Sequence, residues 1–100
     1  MPTYVTLVRF TQKGVEAIKE APARLDAAKE AYRAAGAKVK EFYLVMGRYD
    51  AVVIAEVPDD ETAAKLSLAI ASKGNSRTET SRAFTEEEYR RIVAGLSKVK

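Results

Sequence analysis

The sequence predicts an α+β domain: a four-stranded antiparallel sheet, two helices on one of its faces, and a further helix at the C-terminus. Three observations carry this. Short runs rich in β-branched and aromatic residues alternate with stretches whose apolar residues recur at steps of three and four, in the order β-α-β-β-α-β. Glycines fall where the helical stretches stop. The chain has 100 residues, 47% hydrophobic and 31% charged, so it makes a single domain, residues 1–100, able to bury a core and remain in solution.

The first strand is Thr3 to Phe10, with Tyr4, Thr6, Val8 and Phe10 on one face and Val5, Leu7 and Arg9 on the other. Both faces are largely apolar, which places the strand inside the sheet. Thr11 is suited to be the N-cap of the helix that follows. Its stripe is Val15, Ile18, Pro22, Leu25, Ala28, Tyr32 and Ala35, with a break expected near Glu20-Ala21 because Pro22 lacks a backbone donor. Gly36 ends it. Strands Val39 to Met46 and Tyr49 to Val57 are separated only by Gly47-Arg48, which reads as a tight hairpin.

A second helix starts at Asp59-Asp60-Glu61-Thr62, its carboxylates facing the positive end of the helix dipole. Ala63, Leu66 and Ile70, with Leu68 and Ala71, are its expected buried side, and Gly74 stops it. The fourth strand, Ser76 to Phe84, is polar on both faces and belongs at an edge or beside a wet cavity. Thr85 to Glu88 forms a capping box with Phe84 and Tyr89 as its hydrophobic staple. Ile92, Val93 and Leu96 complete an apolar face, so this last helix is expected to dock on something.

Right-handed crossovers turn this order into a ferredoxin-like sheet with strands 4-1-3-2. Two helices cover only one face. The other still shows apolar side chains from the first three strands, a patch most simply hidden by a second copy as a homodimer or higher oligomer.

Composition narrows the chemistry. The absence of Cys excludes disulfides, thiolate zinc sites and thiol nucleophiles; the absence of His removes the usual acid/base group and the commonest metal ligand. No metal or cofactor is expected. The net charge of +3 is mild and its basic residues are dispersed, so nucleic acid is not an expected partner. No apolar run spans a membrane and no secretory leader is evident, which makes a cytoplasmic location the expectation.

The topology gathers Arg9, Phe10, Thr11, Met46, Tyr49, Asp50, Ser76 and Arg77 at one end of the sheet. Asp50 stands out as a carboxylate at the mouth of a buried strand. It has two readings: an acceptor for free N–H groups of the first helix or a partner for Arg9 or Arg77, and a ligand-facing acid beside the Tyr49 phenol. Arg77 and Arg82 could clamp an anion, or pair along the edge strand with Glu79. Glu56 reads as the outer end of its strand, and Asp59-Asp60-Glu61 as helix-start chemistry.

Gly47-Arg48-Tyr49-Asp50, Glu56-Val57-Pro58-Asp59-Asp60, Gly74 to Thr80 and Arg82-Ala83-Phe84, with Thr11-Gln12-Lys13-Gly14 and Arg24 upstream, resemble the GYD-domain family over nearly the whole chain. The resemblance implies a dimeric α/β barrel of ferredoxin-like protomers and names no reaction. The expected function is an oligomeric small-molecule-binding or sensing module, with Tyr49, Asp50, Arg77 and Arg9 as ligand residues and Gly47, Tyr49 and Asp50 as its motif. The expected ligand is small and anionic or aromatic. The alternative is a cofactor-independent enzyme, monooxygenase-like or an isomerase, acting on a small carbonyl or phenolic compound from a carboxylate in a sheltered cavity.

Overall fold

The computed structural model describes residues 1–99. Its elements are β1 (Thr3–Phe10), α1 (Gln12–Glu16), a 3-10 turn at Ile18–Glu20, α2 (Ala21–Ala34), β2 (Lys38–Leu44), β3 (Ala51–Glu56), α3 (Asp60–Ser72), β4 (Ser76–Ala83), α4 (Glu86–Ala94) and a 3-10 turn at Leu96–Lys98. All strand pairs are antiparallel in the order β2-β3-β1-β4, the expected 4-1-3-2 read from the other edge. This is the ferredoxin-like arrangement.

Alternation along the strands sorts the sheet into two faces. Tyr4, Ala55 and Val57 join Tyr32 of α2, Ala37, and Ala63 and Leu66 of α3 in the buried core. The opposite face presents Val5, Leu7, Val52 and Ile54, all half-buried, with no helix over them. In β2 the ladder runs Val39↔Ala55 and then Glu41↔Ile54, so Lys40 is an extra, bulged residue. The bulge turns Phe42 and Leu44 onto the face that Val39 also uses.

The break in the first helical stretch falls before Ala21, as the proline predicts. Pro22 lies in the first turn of α2, where a helix leaves its N–H groups unpaired anyway. The stripe expected through α1 is only half-realised: Val15 and Ile18 are 52% and 45% exposed. What holds α1 instead is polar. Thr11 caps it by accepting from Gly14 N–H and donating to Gly74 O at 2.6 Å, and its own N–H donates to Asn75 O. Arg24 donates to Ala17 O and Gly14 O, closing the other end. A Cβ on Gly14 would stand 2.1 Å from Asn75 O, so only glycine permits this approach of α1 to the α3–β4 turn.

Two expectations are corrected. The β2–β3 connection is not a two-residue turn: β2 ends at Leu44, β3 starts at Ala51, and Val45 N–H to Asp50 O closes a loop over residues 46–49. Asp50 ties this loop to β1 as well, its N–H donating to Val8 O and its Oδ2 accepting from Phe10 N–H. Leu68 is 71% exposed rather than buried, since two residues beyond Leu66 carries it about 200° around the helix. Within one copy, among the described residues, α4 leaves its apolar stripe largely free. Its capping box is formed, yet Tyr89, Ile92, Val93 and Leu96 stay exposed, and its main neighbour is the 3-10 turn after it.

Candidate ligand-binding site

Two backbone facts build the site. Arg9 and Arg77 are direct cross-strand partners on β1 and β4, and Leu7 is opposite Glu79 two residues away. All four side chains belong to the open face. The β2–β3 loop delivers Tyr49 to the same place: its hydroxyl donates to Glu79 Oε2 at 2.9 Å, and the Arg9 guanidinium lies 5.4 Å from its ring centroid. Tyr49 thus reaches across β1 from the β3 side to β4, and Arg9 donates back to Arg48 O at 3.2 Å. Leu7, Arg9, Tyr49, Arg77, Thr78 and Glu79 line a cavity of about 60 Å³.

The electrostatics are unbalanced. Like charges directly opposite on a ladder repel. Among the described residues, no ion pair joins Arg9 or Arg77 to a carboxylate, and the Arg77 side chain has no hydrogen-bond partner. The acid that could have balanced them, Glu79, is occupied with the Tyr49 hydroxyl.

Asp50 lies behind this cluster. Its Oδ2 accepts from Phe10 N–H at 2.8 Å and its own N–H donates to Val8 O at 2.8 Å. The carboxylate therefore takes the last β1 donor on that side, which β3 is too short to reach. The hydrogen-bonding reading of Asp50 is realised, but its partner is the end of β1 rather than the first helix or an arginine. Of the residues expected at this end, Arg9, Tyr49 and Arg77 come together around one cavity, Asp50 supports them, and Met46 is 97% exposed in the loop. Gly47 takes a φ of +125° there, a backbone conformation that favours glycine.

Glu79 is the functional candidate that sequence reasoning left as an edge-strand ion-pair partner. Strand parity could have found it, since residues 77 and 79 share a face with Arg9. Arg82 departs from the cluster. It stacks 4.4 Å from the Phe84 ring centroid and pairs with Glu88 at 3.8 Å, anchoring the start of α4.

A separate polar network lies at the far end of the sheet. The Tyr4 hydroxyl donates to Asp60, and that hydrogen bond, together with burial and the nearby carboxylate charge, raises its pKa. Tyr32 is raised chiefly by burial in the core. Neither borders the Arg9–Arg77 cavity. The larger depression, about 550 Å³, is an open groove between α2 and α3 lined mainly by alanines with Lys65 at its rim.

The model of the GYD domain family matches residues 4–93. A protein of Thermus thermophilus named glutamine synthetase and cystathionine beta-lyase binding protein is 36% identical over 81 residues, 80% of this chain and 85% of its own length. A solved structure, also from Thermus thermophilus, is 30% identical, covers 85% of this chain and 95% of that one, and superposes with a TM-score of 0.55. The leucine response regulatory protein of Mycobacterium tuberculosis shares the fold at 20% identity and a TM-score of 0.63. It covers 84% of this chain, which spans about half of that protein (51%).

Proposed function

The chain belongs to the GYD domain family, and from that premise and the geometry we propose that it is a self-associating, non-catalytic binding module whose Arg9–Tyr49–Arg77 end takes a small anion. One observation carries the reading: Arg9 and Arg77 are cross-strand partners on the open face and line one cavity, and among the described residues no carboxylate pairs with either. A bound anion would relieve that repulsion, and guanidinium forks suit carboxylates and phosphates. Tyr49 supplies an aromatic wall, and Asp50 holds in place the strand end and loop that present Arg9 and Tyr49.

Self-association is supported by the surface. The chain exposes 7204 Å², against about 5,600 Å² for a folded monomer of its mass. The excess is roughly twice the ~800 Å² per partner that a standard interface hides. Pairing of two open faces would give the dimeric α/β barrel and would shelter the Arg9–Arg77 cluster.

The enzyme alternative asks for a carboxylate in a sheltered cavity between sheet and helices. That layer is instead packed with Tyr4, Tyr32, Val57 and Leu66. A second binding reading, docking onto a metabolic enzyme, is favoured by the free apolar stripe of α4 and by the name of the Thermus thermophilus relative.

A thermal-shift screen of carboxylate and phosphate metabolites on wild type and Arg77→Ala tests the anion site. Stabilising compounds should lose their effect in the variant. If none stabilises wild type, or all shift both proteins equally, the site is misassigned.

A further inference from the structure

Resting on the anion reading above, we infer that the Arg9–Arg77–Glu79 cluster selects a zwitterion, an α-amino acid with an apolar side chain, over a simple anion. The site holds both signs of charge in a fixed order. Arg9 and Arg77 are cross-strand partners, Glu79 lies two residues along β4 on the same face, and all three line one cavity.

An α-amino acid carries both charges in that order. Covalent geometry puts its carboxylate oxygen about 2.7 Å from its ammonium nitrogen. With a charge-assisted hydrogen bond of about 2.8 Å at each end, the bridge from guanidinium to carboxylate spans about 8 Å. The ligand carboxylate meets the arginines and the ammonium meets Glu79, whose Oε1 is not engaged by the Tyr49 hydroxyl. A simple monocarboxylate leaves Glu79 without a cation, and a dianion sets its second charge against it.

The walls speak to the side chain. The cavity of about 60 Å³ has room for roughly two waters, so it takes only the charged head of the ligand. The rest must lie along Leu7 and the Tyr49 ring, toward the apolar residues Val5 and Val52 of the open face.

Calorimetric titration of the protein with L-leucine, 4-methylpentanoate (the same skeleton without the ammonium) and 3-methylbutylamine (without the carboxylate) tests this. L-leucine should bind wild type at least about tenfold more tightly than either analogue, as one charge-assisted hydrogen bond warrants. Glu79→Gln keeps an acceptor for the Tyr49 hydroxyl but removes the charge, and should erase the preference for L-leucine over 4-methylpentanoate. Arg77→Gln should weaken both acids together. If 4-methylpentanoate binds wild type as well as L-leucine does, the zwitterion assignment falls and the anion site stands. If neither acid binds wild type, or Arg77→Gln leaves both affinities unchanged, both fall. The wild-type comparison decides even where a variant does not fold.

Discussion

Asp50 shows how a single side chain can finish a sheet. The β1–β3 ladder ends at Val8↔Ala51, two residues short of the end of β1, and the Asp50 carboxylate accepts the Phe10 N–H that a longer strand would have satisfied. Removing that acceptor leaves a half-buried donor unpaired. Asp50→Ala should therefore cost about 1–3 kcal/mol in urea unfolding, with Asp50→Asn losing less because its amide oxygen can still accept. Tyr49 depends on the same anchor, since it stands between Gly47 and Asp50 in the loop this contact closes. The position of Asp50 at the sheet end was legible from topology. Its partner was not, because the exact length of β3 decides which backbone donor is left over. For Glu79, parity placed it on the face of Arg77, and the register Leu7↔Glu79 beside Arg9↔Arg77 then puts it next to Arg9.

At the scale of elements, local chemistry was the most readable layer. The Thr85 capping box, the Asp59 cap and the break before Ala21 all rest on interactions within a few residues, and each is present. The β2–β3 turn depended on contacts with β1, distant in sequence, and there the reading slipped; Leu68 slipped on helix periodicity alone. The caps also set a pH dependence. Backbone hydrogen bonds from Thr62 and Thr85 hold the Asp59 and Glu88 carboxyls below their usual 3.8 and 4.5. A lowered folded pKa means stability that is present above the usual value and lost as pH falls through the folded one. The Tm should accordingly hold steady down to about pH 5 and decline below 4.5, with a shallower decline in Glu88→Gln. At the alkaline end the sign reverses. Tyr4 and Tyr32 are raised above 10.0, so their contribution is complete below that pH and lost above it.

The whole molecule is extended for its size. Its radius of gyration is 15.4 Å, whereas a compact chain of 100 residues has about 13 Å. The dimensions of 52 × 31 × 20 Å accompany an α4 that leaves the body of the protomer with its apolar stripe uncovered. Sedimentation velocity on wild type should give a dimer or larger species at micromolar concentration. Val52→Glu on the open face should shift it toward the monomer while the helix-covered core stays intact by circular dichroism. A wild-type monomer stable to dilution would count against the barrel and against the shelter it offers the arginines. One further property belongs to the rim rather than to either face. β2 is a border strand carrying Phe42, Tyr43 and Leu44 half in the open, a natural template for unlimited lateral growth. The surplus Lys40 interrupts that template with a crimp and a charge, yet the pairs on either side of it, Val39↔Ala55 and Glu41↔Ile54, would be consecutive without it. Excising this one lysine would preserve every remaining partner and straighten the border, leaving the sheet edge primed to polymerise as ribbons.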